Sequence, residues 1–183
     1  MPIYVITGAS GAGKSTLLKH LGNLGFRCQD EIGRQLIKDE LHSGGSARPD
    51  MDPTAFRDKL FARSIEAFDA VDADVSVPVF FDRSFIEAIA YSRIIGAPVC
   101  DRMKEEARSR RFSPYVFVCA PWPEIFTGDD ERQHDFLFAQ QDYEANIWAY
   151  KAYGYSLVEV PQSDVAARVK FVAEYVSRHE GEA

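Results

Sequence analysis

The chain has 183 residues, 46% of them hydrophobic, and a formal net charge of −7. That length supports one domain with a hydrophobic core, and that composition excludes a disordered chain. The acidic balance argues against a general nucleic-acid binder, which carries an excess of Lys and Arg. Cys28, Cys100 and Cys119 lie far apart with no C-x-x-C spacing, which argues against structural zinc and fits a reducing, cytoplasmic setting. Cys28 and Cys119 fall in apparent strands and are expected to be buried thiols. No signal segment precedes the first strand and no apolar run approaches spanning length, so no membrane insertion is expected.

The first strand is read at Ile3-Tyr4-Val5-Ile6-Thr7. It leads into Gly8-Ala9-Ser10-Gly11-Ala12-Gly13-Lys14-Ser15, a complete G-x-x-x-x-G-K-[ST] phosphate-binding loop, and then a helix through Thr16 to Leu21. Strand, loop and helix is the setting that this motif requires. Glycines let the backbone turn and approach a ligand closely, so that N–H groups from Gly8 to Thr16 can hold phosphate oxygens at the helix N-terminus. Lys14 supplies a point charge for the β- and γ-phosphates, and Ser15 a hydroxyl for Mg²⁺.

Phe26 to Gln29 reads as a second strand, followed by a helix that Asp30 could cap and that runs to about Leu41 before Gly44-Gly45. Glu31 stands at the end of that strand, where it either stabilises the helix dipole or resembles the carboxylate that takes the acceptor's hydroxyl proton in nucleoside kinases. Asp52-Pro53 opens a helix carrying Phe56, Leu60, Phe61, Ile65, Phe68 and Val71 at helical spacing. Val77 to Phe81 is entirely apolar and is expected to be a central strand. Asp82 ends it, where a carboxylate organises Mg²⁺. Arg83 follows, either binding phosphate or forming a local ion pair with Asp82.

Ser84 and Glu87 make a capping-box pattern for the next helix. A further helix is expected from Cys100 to Arg110; its mixed charges, continuing to Arg111, read as a solvated face. Tyr115 to Cys119 is the fourth strand. The acidic segment from Thr127 to Asp135 follows that strand in a place that resembles the lid of small P-loop kinases, so a lid is expected near 127–136, with Arg132 as the charge that meets a migrating phosphoryl group. A helix from about Phe136 to Tyr153, a fifth strand from Tyr155 to Val160, and a last helix capped by Ser163 complete the pattern. Tyr91, Arg93 and Trp122 could line an acceptor pocket. Alternating strands and helices predict an α/β fold, three layers around a five-stranded parallel sheet.

These motifs in this order resemble the small AAA-type predicted ATPases of the P-loop superfamily, which are related to ribosylnicotinamide-kinase-like and nucleoside-kinase-like domains. The resemblance spans nearly the whole chain. It rests on the loop, on Glu31-Ile32-Gly33-Arg34, on Phe80-Phe81-Asp82-Arg83-Ser84, on Pro121-Trp122-Pro123-Glu124-Ile125, on Glu131-Arg132 and on the stretch from Tyr153 to Pro161. It implies strand order 2-3-1-4-5, ATP and Mg²⁺, and phosphoryl transfer to a small, possibly nucleoside-like hydroxyl acceptor. The catalytic set expected is Lys14, Glu31, Asp82, Arg83 and Arg132, with Ser15 and Asp82 at the metal; either Glu31 or Asp82 is the general base. The rival is an ATPase or switch that passes no phosphoryl group to a small molecule and is read by a protein partner.

Overall fold

The computed structural model describes residues 2–72, 77–125 and 136–179. Five strands, β1 (Ile3–Gly8), β2 (Arg27–Gln29), β3 (Val79–Asp82), β4 (Tyr115–Cys119) and β5 (Ser156–Glu159), form one parallel sheet in the order β2-β3-β1-β4-β5. The helices are α1 (Lys14–Asn23), α2 (Ile32–Ser43), α3 (Pro53–Asp69), α4 (Phe85–Ile94), α5 (Asp101–Ser109), α6 (Phe136–Ala152) and α7 (Val165–His179).

Alternation along the central strands divides the core between the two faces of the sheet. Tyr4 and Ile6 point with Phe80 and Phe117 toward Leu17 and Leu21 of α1 and Val172 and Val176 of α7. Val5 points with Phe81 and Val116 toward α4, α5 and α6, where Phe85, Ile89, Met103 and Tyr150 complete the second cluster. Helices therefore cover both faces, and the apolar β3 and β4 lie inside the sheet.

Local chemistry sets most element ends. Asp52 caps α3 by accepting from Ala55 N at 2.9 Å, with Pro53 in the first turn. Two expected caps shift, and a third keeps its cap without its box partner. Glu31, not Asp30, is the N-cap residue of α2, and its side chain makes no capping bond. Asp164 rather than Ser163 caps α7, taking Ala167 N at 2.9 Å. Ser84 caps α4 through Ile86 N, but Glu87 turns away from the cap.

Cys119 is buried as expected, whereas Cys28 is exposed. β2 is a three-residue edge strand and cannot enclose its side chains. The Cys28 thiol nevertheless leans on Leu18 O at 3.4 Å, and burial, with Asp30 and Asp82 nearby, pushes it up to about 11. The charged stretch after Cys100 is paired within itself and with α3: Lys104 meets Asp101 at 2.9 Å and Arg110 meets Asp69 of α3 at 2.7 Å. No helix among the described residues is long and apolar enough to cross a membrane.

Candidate active site

Parallel pairing brings the carboxyl ends of β1, β2 and β3 to one edge, where open α/β sheets place their ligands. The phosphate-binding loop begins there. Gly8 is at φ +124°, and a Cβ on it would lie 2.0 Å from Cys119 O, so only glycine permits this approach of β1 to β4. Ala9 N donates to that same carbonyl at 3.0 Å. Gly13, at φ +76°, is the N-cap residue of α1. Lys14 is buried and curls back over the loop, its Nζ donating to Gly8 O at 3.1 Å and Ala9 O at 2.7 Å. Ser15 and Thr16 are exposed on the first turn of α1.

Ser15 Oγ donates to Asp82 Oδ2 at 3.0 Å, which joins the loop to the end of β3. Asp82 is buried, and its Oδ1 has no hydrogen-bond partner among the described residues. A hydroxyl and an under-satisfied carboxylate side by side fit Mg²⁺, which keeps most of its waters and takes few protein ligands. Among the described residues no group of three His, Cys, Asp or Glu side chains forms a closed metal cage.

Arg83 does not pair with Asp82. Its backbone is left-handed, at φ 69°, the sole such non-glycine among the described residues, a conformation that surrounding structure must hold in place. Arg83 N donates to Ile6 O at 3.1 Å. Its guanidinium donates through Nη1 to Glu87 Oε2 and through Nη2 to Gly8 O at 3.1 Å and Asp142 Oδ2 at 2.9 Å, with Nε 3.5 Å from Glu31 Oε1. Burial alone would pull Arg83 down, but Asp142, Glu87 and Asp82 hold it above the ordinary arginine range. Behind it, Glu87 Oε1 accepts from Thr7 Oγ1 at 2.5 Å and Tyr150 OH at 3.3 Å. Burial pushes the Glu87 carboxyl up, with Arg83 pulling the other way.

The expected residues thus divide. Lys14, Ser15, Glu31, Asp82 and Arg83 come together at one edge of the sheet. Arg132 and the lid from 127 to 135 lie outside the described residues; Phe136 opens α6. Between α2, α3 and α4 a cavity of about 730 Å³ opens from this edge, with Glu31, Asp82 and Arg83 in its lining and Ile37, Phe56 and Leu60 on its walls. Tyr91 lines it, edge-on to Phe56 at 5.6 Å, its hydroxyl pushed up to about 12 by burial and by Asp142. Arg93 instead lies over Trp148, and Trp122 under Arg168.

Glu87, Asp142, Thr7 and Arg168 escaped the sequence reading. Glu87 sits one helical turn after Arg83, a spacing that could have flagged the pair; Asp142 and Arg168 have no local signal. Arg168 is buried against the loop, Nη2 donating to Ala12 O at 3.0 Å and Cys119 Sγ at 3.1 Å.

The model of the AAA_28 family, described as an AAA domain, matches residues 3–168. The chain is 33% identical over 82 residues to the nucleotide-binding protein sce5766 of Sorangium cellulosum (strain So ce56), matching 43% of itself and 23% of that relative, under a quarter of the relative's length. Its fold is similar to that of NadR protein in complex with NR (TM-score 0.71, 16% identity, 98% of this chain and 51% of that one). It is also similar to thymidylate kinase from Ehrlichia chaffeensis (TM-score 0.62, 14% identity, 96% and 98%). The fold is therefore that of the kinase-like P-loop proteins, with the strand order expected from the sequence.

Proposed function

The chain belongs to the AAA_28 family of AAA domains, and on that premise we propose that it is a Mg²⁺-ATP-dependent phosphotransferase acting on a small hydroxyl compound. One observation carries the reading: the phosphate loop with Lys14 is joined through the Ser15–Asp82 pair to a cavity that Asp82 lines together with Glu31 and Arg83. A switch protein needs the first part and has no use for a deep acceptor cavity with a carboxylate beside the phosphate loop.

The loop N–H groups from Gly8 to Thr16 bind the phosphates of ATP, and Lys14 exchanges its two loop carbonyls for phosphate oxygens. Ser15 and Asp82 would hold Mg²⁺, which when bound neutralises charge on the β- and γ-phosphates. Asp82 is committed to Ser15, so Glu31 is the base that accepts the acceptor's hydroxyl proton. Arg83 has its donors directed at Glu87, Gly8 O and Asp142. Its role is therefore positioning: it holds the loop carbonyl and Glu31 in one frame. Arg132 is the remaining candidate for charge on the migrating phosphoryl. Catalysis of this kind is positioning and electrostatics throughout.

ADP release from Mg²⁺-ATP, measured alone and with a panel of hydroxyl compounds and with Lys14→Ala as the blank, tests the reading. Stimulation by one compound, with its phosphorylated product seen by mass, is expected. Slow release that no compound changes would favour an ATPase or switch instead.

A further inference from the structure

The charge of the cavity is lopsided, and its arginines are already engaged. Among the described residues its lining carries five carboxylates, Glu31, Asp50, Asp82, Glu87 and Asp142, against two guanidinium groups, Arg48 and Arg83. Arg48 meets both oxygens of Asp50 at the rim, at 3.1 and 3.0 Å. Arg83 is held by Glu87, Asp142 and Gly8 O, with Glu31 beside its Nε. Arg34 stands 3.8 Å from Glu31 and is not in the lining.

Recognition of a phosphate or carboxylate inside such a cavity calls for a guanidinium fork facing it. Turning Arg83 to that task would strip the buried Glu87 and the partly buried Asp142 of their counter-charge, which is costly. The backbone adds resistance, because Arg83 is fixed in its left-handed conformation by Ile6 O. A bound nucleoside triphosphate would add still more negative charge beside Asp82. Carboxylates, in contrast, are good acceptors for hydroxyl groups and good partners for a cation. The apolar part of the lining, which includes Ile37, Phe56, Leu60, Tyr91 and Ile95, suits an apolar or aromatic body, and a volume of about 730 Å³ lies in the range of pockets that take small organic ligands.

Resting on the phosphotransferase reading of the same site, we propose that the acceptor carries no anionic group. It is a neutral or cationic hydroxyl compound with an apolar body, and the site rejects phosphorylated and carboxylated compounds.

The test supplies hydroxyl compounds in matched pairs, each neutral or cationic member beside its phosphate or carboxylate: adenosine with its monophosphate, thymidine with its monophosphate, inositol with its phosphate. Transfer is read by product mass with Mg²⁺-ATP. Binding is read by calorimetry with Mg²⁺ and a non-hydrolysable ATP analogue. Transfer to, and binding of, only the uncharged or cationic members is expected. Equal or better kcat/KM for an anionic member would overturn the charge rule and leave the kinase reading standing. ADP release that no compound changes, with no member of any pair bound, would remove the kinase reading and this proposal with it.

Asp142→Asn, which releases one anchor of Arg83, should tighten monophosphate binding about tenfold relative to the matched nucleoside. Asp50→Asn at the exposed rim, where folding is not at stake, should shift the same ratio in the same direction by a smaller factor. An unchanged ratio in both variants would also overturn the proposal.

Discussion

Gly8→Ala measures how far the phosphate loop depends on close approach of β1 to β4. The new Cβ would lie 2.0 Å from Cys119 O and 2.7 Å from Cys119 C, both backbone atoms, so relief requires the strands to part. A φ of +124° adds its own penalty for an L residue. Gly25 is the control: it lies at φ +95° with nothing within 4 Å of its Cβ position. Gly25→Ala should therefore cost only the backbone conformation, about 1–2 kcal/mol. Gly8→Ala adds the loss of the Ala9 N to Cys119 O bond and the steric displacement, for a total of about 3–5 kcal/mol. In a chain of this size that is a fall in Tm of roughly 6–20 °C, against roughly 2–8 °C for the control. Because Gly8 O receives both Lys14 Nζ and Arg83 Nη2, nucleotide binding should weaken in Gly8→Ala and hold in Gly25→Ala. Urea unfolding followed by intrinsic fluorescence gives the two free energies. A Gly8→Ala variant within about 0.5 kcal/mol of Gly25→Ala, well inside ordinary surface-substitution scatter, would refute the argument that this contact sets the glycine.

Ser15→Ala should weaken Mg²⁺-ATP binding and leave binding of metal-free ATP in EDTA nearly unchanged, as calorimetry in the two buffers would show; equal losses in both would detach Ser15 from the metal. Glu87, whose carboxyl is pushed up by burial, binds its proton more tightly folded than unfolded. Its contribution is therefore fully present below the ordinary carboxyl value of 4.5 and is lost as pH rises through the folded value. Relative to Glu87→Gln, the wild type should lose stability as pH rises above 4.5, and parallel pH–stability curves would contradict this. The Cys28 thiol, raised from 9.0 to about 11, should alkylate about a hundredfold more slowly at pH 8 than a small free thiol of unshifted pKa, because the thiolate is the reacting form. Labelling at the free-thiol rate, read by mass, would show that its contact with Leu18 O does not persist.

What the sequence made legible follows the range of the physics involved. Loop, strand period and the Asp52 cap are written in neighbouring residues, and each stands where its local chemistry requires. The run Ile3-Tyr4-Val5-Ile6-Thr7 reads as a strand and forms β1, and the sheet order followed from the resemblance. Glu87 marks the limit. Its spacing from Ser84 is that of a capping box, worth about 1 kcal/mol at an exposed helix start. Yet Phe85, Ile86, Ala88, Ile89 and Ala90 are all buried, so α4 is enclosed on nearly every side and Glu87 has no solvent-facing cap to return to. Thr7, Tyr150 and Arg83 satisfy it instead, and two of those partners are distant in sequence. Cys28 fails in the opposite direction: a strand pattern says which residues alternate, but not that the strand lies at an edge with three residues and little cover.

The same reasoning explains why the Asp-Arg-Ser signature could locate the site without assigning its arginine. Three residues at a strand end place Arg83 beside the phosphate loop whatever its partners are. Whether it faces a ligand or is neutralised depends on Asp142, which α6 delivers from 59 residues away. An arginine held by Glu87 and Asp142 and one left free to meet a phosphate have the same local sequence and opposite consequences for the acceptor. Comparing Asp142→Asn with the wild type on a single nucleoside and its monophosphate reads that difference directly, because the substitution changes the partner of Arg83 and leaves the signature intact.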